Sequence, residues 1–156
     1  MRTKPLLSLA GVALAVWLAV PQPSAAIGEC SFNSVVGVNF GPYDVFNPSP
    51  TDSTGSITYT CISLLAPITI DLSKGSGSGY SPRRMHRGGD SLSYNLYLDA
   101  SRVTVWGDGT GGSSRYGPVT PPLASPVTVT IYGRMPARQN ARVGSYTDTI
   151  MVTINF

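Results

Sequence analysis

Charge is scarce in this chain. Asp, Glu, Lys and Arg make up 12% of its 156 residues, and His86 is the single histidine. Once Arg2 and Lys4 are set aside with the leader described below, nine basic and eight acidic residues remain, a net charge of +1. That balance implies no polyanion partner, and so no nucleic acid. Catalytic equipment is equally thin. No G-x-S-x-G nucleophile motif occurs, and His86 stands in the basic stretch "RRMHRGGD", which reads as a solvated loop. Only two cysteines are present, Cys30 and Cys61, without C-x-x-C spacing or nearby histidines, so a redox pair or a metal pair is excluded. The sequence therefore implies no enzyme, no metal and no cofactor.

What is present begins with a leader. Arg2 and Lys4 precede an uncharged apolar run from Leu6 to Val20, and "PQPSAA" follows with Ser24 and Ala26 at the small-residue positions. This is the pattern of a secretory signal peptide over residues 1–26, cleaved after Ala26. The run of fifteen residues is shorter than the roughly 20 that a membrane-spanning helix needs, so no span is expected after cleavage. Residues 27–156 then form one domain, exported to an oxidising compartment where Cys30 and Cys61 pair as a disulfide. Closing a loop of about thirty residues contributes roughly 3 to 4 kcal/mol on the chain-entropy model.

The rest of the chain is rich in Gly, Pro, Ser, Thr and Tyr and alternates with period 2. "SVVGVNFG" places Val36, Val38 and Phe40 on one face, "SITYTCIS" does so for Ile57, Tyr59 and Cys61, and "PITIDL" for Ile68, Ile70 and Leu72. "LSYNLYL", a short "RVTVW", "PVTVTIYG" and the terminal "SYTDTIMVTINF" complete six or seven strands, with turn-rich pieces between them and no convincing helix. This predicts an all-β, immunoglobulin-like antiparallel sandwich. Such sandwiches close with seven strands or more, and here nothing follows the terminal one, so the fold is expected to be incomplete and to lack its final strand.

Three stretches stand out as candidate sites. "WGDGTGG" (Trp106 to Gly112) lacks a Walker lysine and offers calcium a single carboxylate, Asp108, so it reads as a tight Asp-Gly turn with Trp106 packed on the sandwich. "SPRRMHRGG" gathers Arg83, Arg84 and Arg87 and reads as a surface loop with a local positive edge. The terminal strand is the third. Natural edge strands are blunted by Lys, Pro or a bulge, and residues 149–156 contain neither Lys nor Pro. Its apolar face of Ile150, Val152, Ile154 and Phe156 is therefore expected to receive a strand from another chain.

"GVNFGPYD" after Cys30, "GSITYTC" ending at Cys61, "YNLYLDA" (Tyr94 to Ala100), "WGDGT" (Trp106 to Thr110), "YGRMPARQ" (Tyr132 to Gln139) and "GSYTDTIMVTINF" (Gly144 to Phe156) together resemble the spore coat protein U domain family. The resemblance runs from about Cys30 to Phe156. That family includes the pilin subunits of archaic chaperone–usher fimbriae. It implies a sandwich completed by a donor strand, lent first by a periplasmic chaperone and then by a neighbouring pilus subunit during assembly at an outer-membrane usher. Ile150, Val152, Ile154 and Phe156 would line the donor-strand groove. One departure matters. Fibre-building members carry an alternating extension of ten or more residues before the first cysteine, whereas cleavage after Ala26 leaves three, spanning about 10 Å. The chain is thus expected to accept a strand without donating one, as a terminal (tip) subunit does.

The leading expectation is a non-enzymatic structural subunit of an exported fimbria, passing through the periplasm to the cell surface or an extracellular fibre. A second is a tip adhesin that contacts a surface or glycan through Tyr80, Arg83, Arg84, Trp106 and Tyr116, serving cell adhesion and biofilm formation. A third is a secreted spore or cell coat protein without a pilus. Intact-mass measurement of the exported protein should place its first residue at Ile27; a longer N-terminus would restore a donor extension and contradict the terminal position.

Overall fold

The computed structural model describes residues 28–63 and 66–156 of the chain. The signal-peptide reading of residues 1–26 lies outside these. Among the described residues eight strands form, in chain order β1 (Glu29–Val36), β2 (Thr51–Ser63), β3 (Ile68–Leu72), β4 (Arg83–Arg87), β5 (Asp90–Tyr97), β6 (Tyr116–Val119), β7 (Val127–Met135) and β8 (Val152–Asn155). No helix occurs among the described residues. The strands form two antiparallel sheets, one of five in the order β1-β2-β7-β5-β4 and one of three in the order β6-β3-β8. The chain is an all-β, immunoglobulin-like antiparallel sandwich, as its alternation predicts.

The alternation fixes which faces meet. Ile57, Tyr59 and Cys61 of β2 are fully buried, and so are Ile68 and Ile70 of β3, with Leu92, Tyr94 and Leu96 of β5 and Ile131 of β7 completing the core between the sheets. Cys30 pairs with Cys61 across β1 and β2 and forms the disulfide, which ties the edge strand to its neighbour at a fully buried position.

Several segments differ from the sequence expectation. Strand β1 stops at Val36, so Val38 and Phe40 lie in the irregular segment beyond it, yet both pack on the core. That segment crosses the inner face of the large sheet, and two glycines make room for it. A Cβ at Gly55 would lie 2.5 Å from the Val36 carbonyl oxygen, and one at Gly133 would lie 2.6 Å from a Val38 methyl. "RVTVW" is not a strand: Val105 and Trp106 make only isolated bridges, to Tyr97 and Ser114. "RRMHR" is a strand, β4, paired in register with β5 from Arg83↔Tyr94 to Arg87↔Asp90. His86 accordingly leaves the solvated loop expected for it. Its backbone N–H and carbonyl both bond Thr147 at 2.8 and 3.1 Å, and its Nε2 is shielded and has no partner among the described residues. Strand β6 falls inside a stretch read as turns.

The terminal segment keeps its alternation but changes partners along its length. Thr147 pairs with β4 of the large sheet, Met151 exchanges hydrogen bonds with Ser73, and Val152 to Asn155 pair with β3 of the small sheet. The chain thus steps from one sheet to the other between Thr147 and Val152.

Gly55→Ala should lower stability by roughly 1 to 3 kcal/mol in denaturant unfolding, because the new methyl meets the backbone of the crossing segment. Gly89→Ala, with open space around it, should change little; equal effects at the two positions would contradict the close approach.

Candidate functional site

An apolar groove of about 880 Å³ runs between two irregular walls. One wall is the segment after β1, with Val38, Phe40, Tyr43 and Val45; the other is the segment leading to β8, with Tyr146, Asp148, Ile150 and Val152. Met85, Leu92, Leu96, Ile131 and Met135 of the large sheet supply the floor. Strand β8 ends the small sheet and pairs only with β3 among the described residues. The groove therefore combines an apolar floor with an unpaired strand edge, the two features that β-strand addition uses.

Hydrogen bonds hold both walls in place. Tyr43 Oη donates to the Pro136 carbonyl at 2.7 Å and accepts from the Gln139 N–H at 2.8 Å. The Gln139 side chain then substitutes for a neighbouring strand beside β5: its Oε1 accepts from Ser93 N–H at 2.7 Å and its Nε2 donates to the Ser93 carbonyl at 2.8 Å. On the other wall, Asp148 Oδ2 accepts from Tyr94 Oη at 2.6 Å, while Oδ1 accepts from the Ser76 N–H and hydroxyl and from its neighbour Thr149 N–H. Burial alone would raise the pKa of Asp148, but these donors outweigh it and hold the carboxyl below its ordinary range. Burial, reinforced by the Asp148 carboxylate, pushes the Tyr94 hydroxyl far above its usual range, so it stays a donor.

The residues singled out in the sequence are distributed unevenly over this site. Ile150 and Val152 line the groove. Ile154 is half-buried against the core beyond the groove lining, and Phe156, past the end of β8, is 54% exposed. The loop residues proposed to touch a ligand do not form a cluster on the surface. Trp106 is fully buried, with its indole N–H donating to the Ile70 carbonyl at 2.8 Å. Arg83 is fully buried too, and Tyr80 is 8% exposed. The guanidinium of Arg83 donates to the Ser73 carbonyl at 3.0 Å, to Asn95 Oδ1 at 2.8 Å and to the Trp106 carbonyl at 2.6 Å, and it lies 5.1 Å from the Tyr80 ring centroid. These three residues fasten β4 to the loop after β5 and are out of a ligand's reach; Arg84 is exposed and Tyr116 half-buried. "WGDGT" is a turn closed by Asp108, whose Oδ1 accepts from the Thr110 N–H and hydroxyl, and these bonds bring its pKa down to about 2.

Sequence reasoning missed Tyr43, Tyr94, Gln139 and Asp148 as parts of the site. All four stand within the motifs "GVNFGPYD", "YNLYLDA", "YGRMPARQ" and "GSYTDTIMVTINF", but nothing in their spacing announces that the motifs meet.

A model of the Spore Coat Protein U domain matches residues 17–153 of the chain. Protein U of Myxococcus xanthus is 37% identical over 146 residues, which cover 83% of this chain and 78% of that protein. Among solved structures, a crystal structure of the CsuC-CsuE chaperone-tip adhesion subunit pre-assembly complex, from archaic chaperone-usher Csu pili of Acinetobacter baumannii, is similar in fold. Its TM-score is 0.57 and its identity 23%, and the match covers 83% of this chain but only 40% of the chain matched there.

Asp148→Asn should cost roughly 1 to 3 kcal/mol at neutral pH, since charge-assisted hydrogen bonds are lost. The sign with pH follows from the lowered pKa. The carboxylate's contribution is complete above the ordinary aspartate value of 3.8 and falls away as acid protonates the folded form. Melting curves from pH 7 down to 2.5 should therefore converge for the two proteins; parallel loss in both would contradict the role of the carboxylate.

Proposed function

Because the chain belongs to the Spore Coat Protein U domain family, we propose that it is a non-enzymatic structural subunit of an exported chaperone–usher fimbria that accepts a donor strand in its groove. One observation carries this reading: an apolar groove of about 880 Å³ lies beside the open edge of β8. An extended segment with alternating apolar residues fits both features, its backbone pairing with the edge and its side chains filling the floor. Burial of about four such side chains contributes on the order of 6 to 12 kcal/mol before ordering and association costs are met. A periplasmic chaperone is the first donor in this scheme and a neighbouring subunit the second, with an outer-membrane usher as the assembly site. The chaperone–subunit complex named for the similar solved structure supports it by analogy of fold. Should export cleave the chain after Ala26, the proposed subunit is a receiving one at the fibre tip.

A coat role is the second reading, favoured by the family's description and by the 37% identity to Protein U. The two readings differ in what the groove does. Titrating the purified mature protein with a synthetic peptide of alternating apolar and polar residues should raise its melting temperature and form a stoichiometric complex. Ile150→Asp and Val152→Asp should weaken that complex at least tenfold, because each puts a charge into the apolar groove. A peptide that leaves the melting temperature unchanged would contradict an open acceptor groove and favour the coat reading.

A further inference from the structure

Tyr94 crosses the groove floor from one wall to the other. Its ring meets Phe40 of the first wall edge-on, with centroids 6.0 Å apart, and its hydroxyl donates to Asp148 of the second wall at 2.6 Å. Only 4% of its surface is exposed, so the ring is fixed in place by the core around it. A second tie acts where the walls begin. Tyr43, on the first wall, bonds Pro136 and Gln139 at 2.7 and 2.8 Å, and Ala141, two residues further on, already lines the second wall. Gln139 is itself anchored by two hydrogen bonds to the backbone of Ser93, the residue before Tyr94. The two tyrosines, Gln139 and Asp148 thus make one connected strap from wall to wall through β5.

We propose that this strap fixes the width of the groove and thereby selects the side-chain size of the strand that enters it. Tyr43 and Tyr94 are positioning residues: they act on the incoming strand through the walls they hold. This inference rests on the acceptor-groove reading above. The physical reason is that close-packed interiors respond to a single methylene, whereas walls held only by apolar contact would shift to fit whatever entered. Fixed walls reject both a side chain too small to fill the floor and one too large to pass.

The test uses two synthetic peptides that share a polar face and differ only at their apolar positions, valine in one and phenylalanine in the other. Affinities are measured by fluorescence polarisation with the mature protein and with Tyr43→Phe and Tyr94→Phe, each of which removes a hydroxyl and keeps the ring. The unaltered protein should separate the two peptides by about tenfold or more, the discrimination that a methylene-sized mismatch gives in a rigid apolar pocket. Either variant should bring the ratio several-fold closer to one. Asp108→Ala, which loosens a turn outside the groove lining, should lower the melting temperature and leave the ratio intact. Where Tyr94→Phe does not fold, Tyr43→Phe alone decides. A ratio unchanged in Tyr43→Phe, or no discrimination by the unaltered protein, overturns the strap. Binding of neither peptide to the unaltered protein overturns the acceptor groove itself.

Discussion

A sheet of five strands faces a sheet of three, and the mismatch in width governs the rest of the molecule. Side chains directly opposite one another in an antiparallel pair share a face. Phe32 and Val35 stand opposite Tyr59 and Ile57, both fully buried, yet they remain 39% and 47% exposed. They point toward the interior of the sandwich at a place where the small sheet supplies no cover. The chain reduces the deficit by carrying Val38 and Phe40 across the inner face, over Gly55 and Gly133, and by stepping its last segment from β4 to β3. Between these two irregular walls the interior stays open, and the groove is the remainder.

An apolar groove of this kind would be expected to collapse on itself, since closing it removes apolar surface from water at roughly 25 cal/mol per Å². Polar ties oppose that. Asp148 is saturated by donors from Ser76, Tyr94 and Thr149, and moving the wall inward would break charge-assisted bonds that cost more than a neutral bond to lose. Away from the groove, the fully buried Arg83 guanidinium exchanges its water for two carbonyls and an amide, and so ties β4 to the segments around it. The polar residues thus do not decorate the site; they hold an apolar surface open. A strand entering such a groove loses less to ordering the acceptor than one entering a collapsed cleft, which is how preorganisation raises affinity.

The sandwich class, the Cys30–Cys61 pairing and the inward faces of β2 and β3 were legible because period-2 alternation encodes burial directly. The alternation of the terminal segment survived even where its pairing partner changed. The readings that failed share one cause. Arg83 and His86 made β4 look like a loop, because charge is read as exposure, and the tertiary contacts that neutralise that inference come from Ser73, Asn95, Trp106 and Thr147, all outside the stretch itself. Trp106 is packed on the sandwich as its Asp-Gly turn suggested, with its indole N–H on the Ile70 carbonyl, and only the alternative that counted it among ligand-contacting residues conflicts with its burial. Width, closure and the strap between the walls depend on contacts such as Tyr43 to Gln139, separated by 96 residues, and no local pattern carries them.

In the proposed function the open edge of β8 receives an extended strand. Amide hydrogen exchange across residues 150–156, measured on the mature protein with and without a saturating alternating peptide, tests it most directly. Amides on the edge facing away from β3 should exchange freely in the unoccupied protein and slow by at least about a hundredfold on saturation, as they become ladder hydrogen bonds. Unchanged exchange at that edge, with the peptide demonstrably bound, would place the partner elsewhere and contradict strand addition at β8.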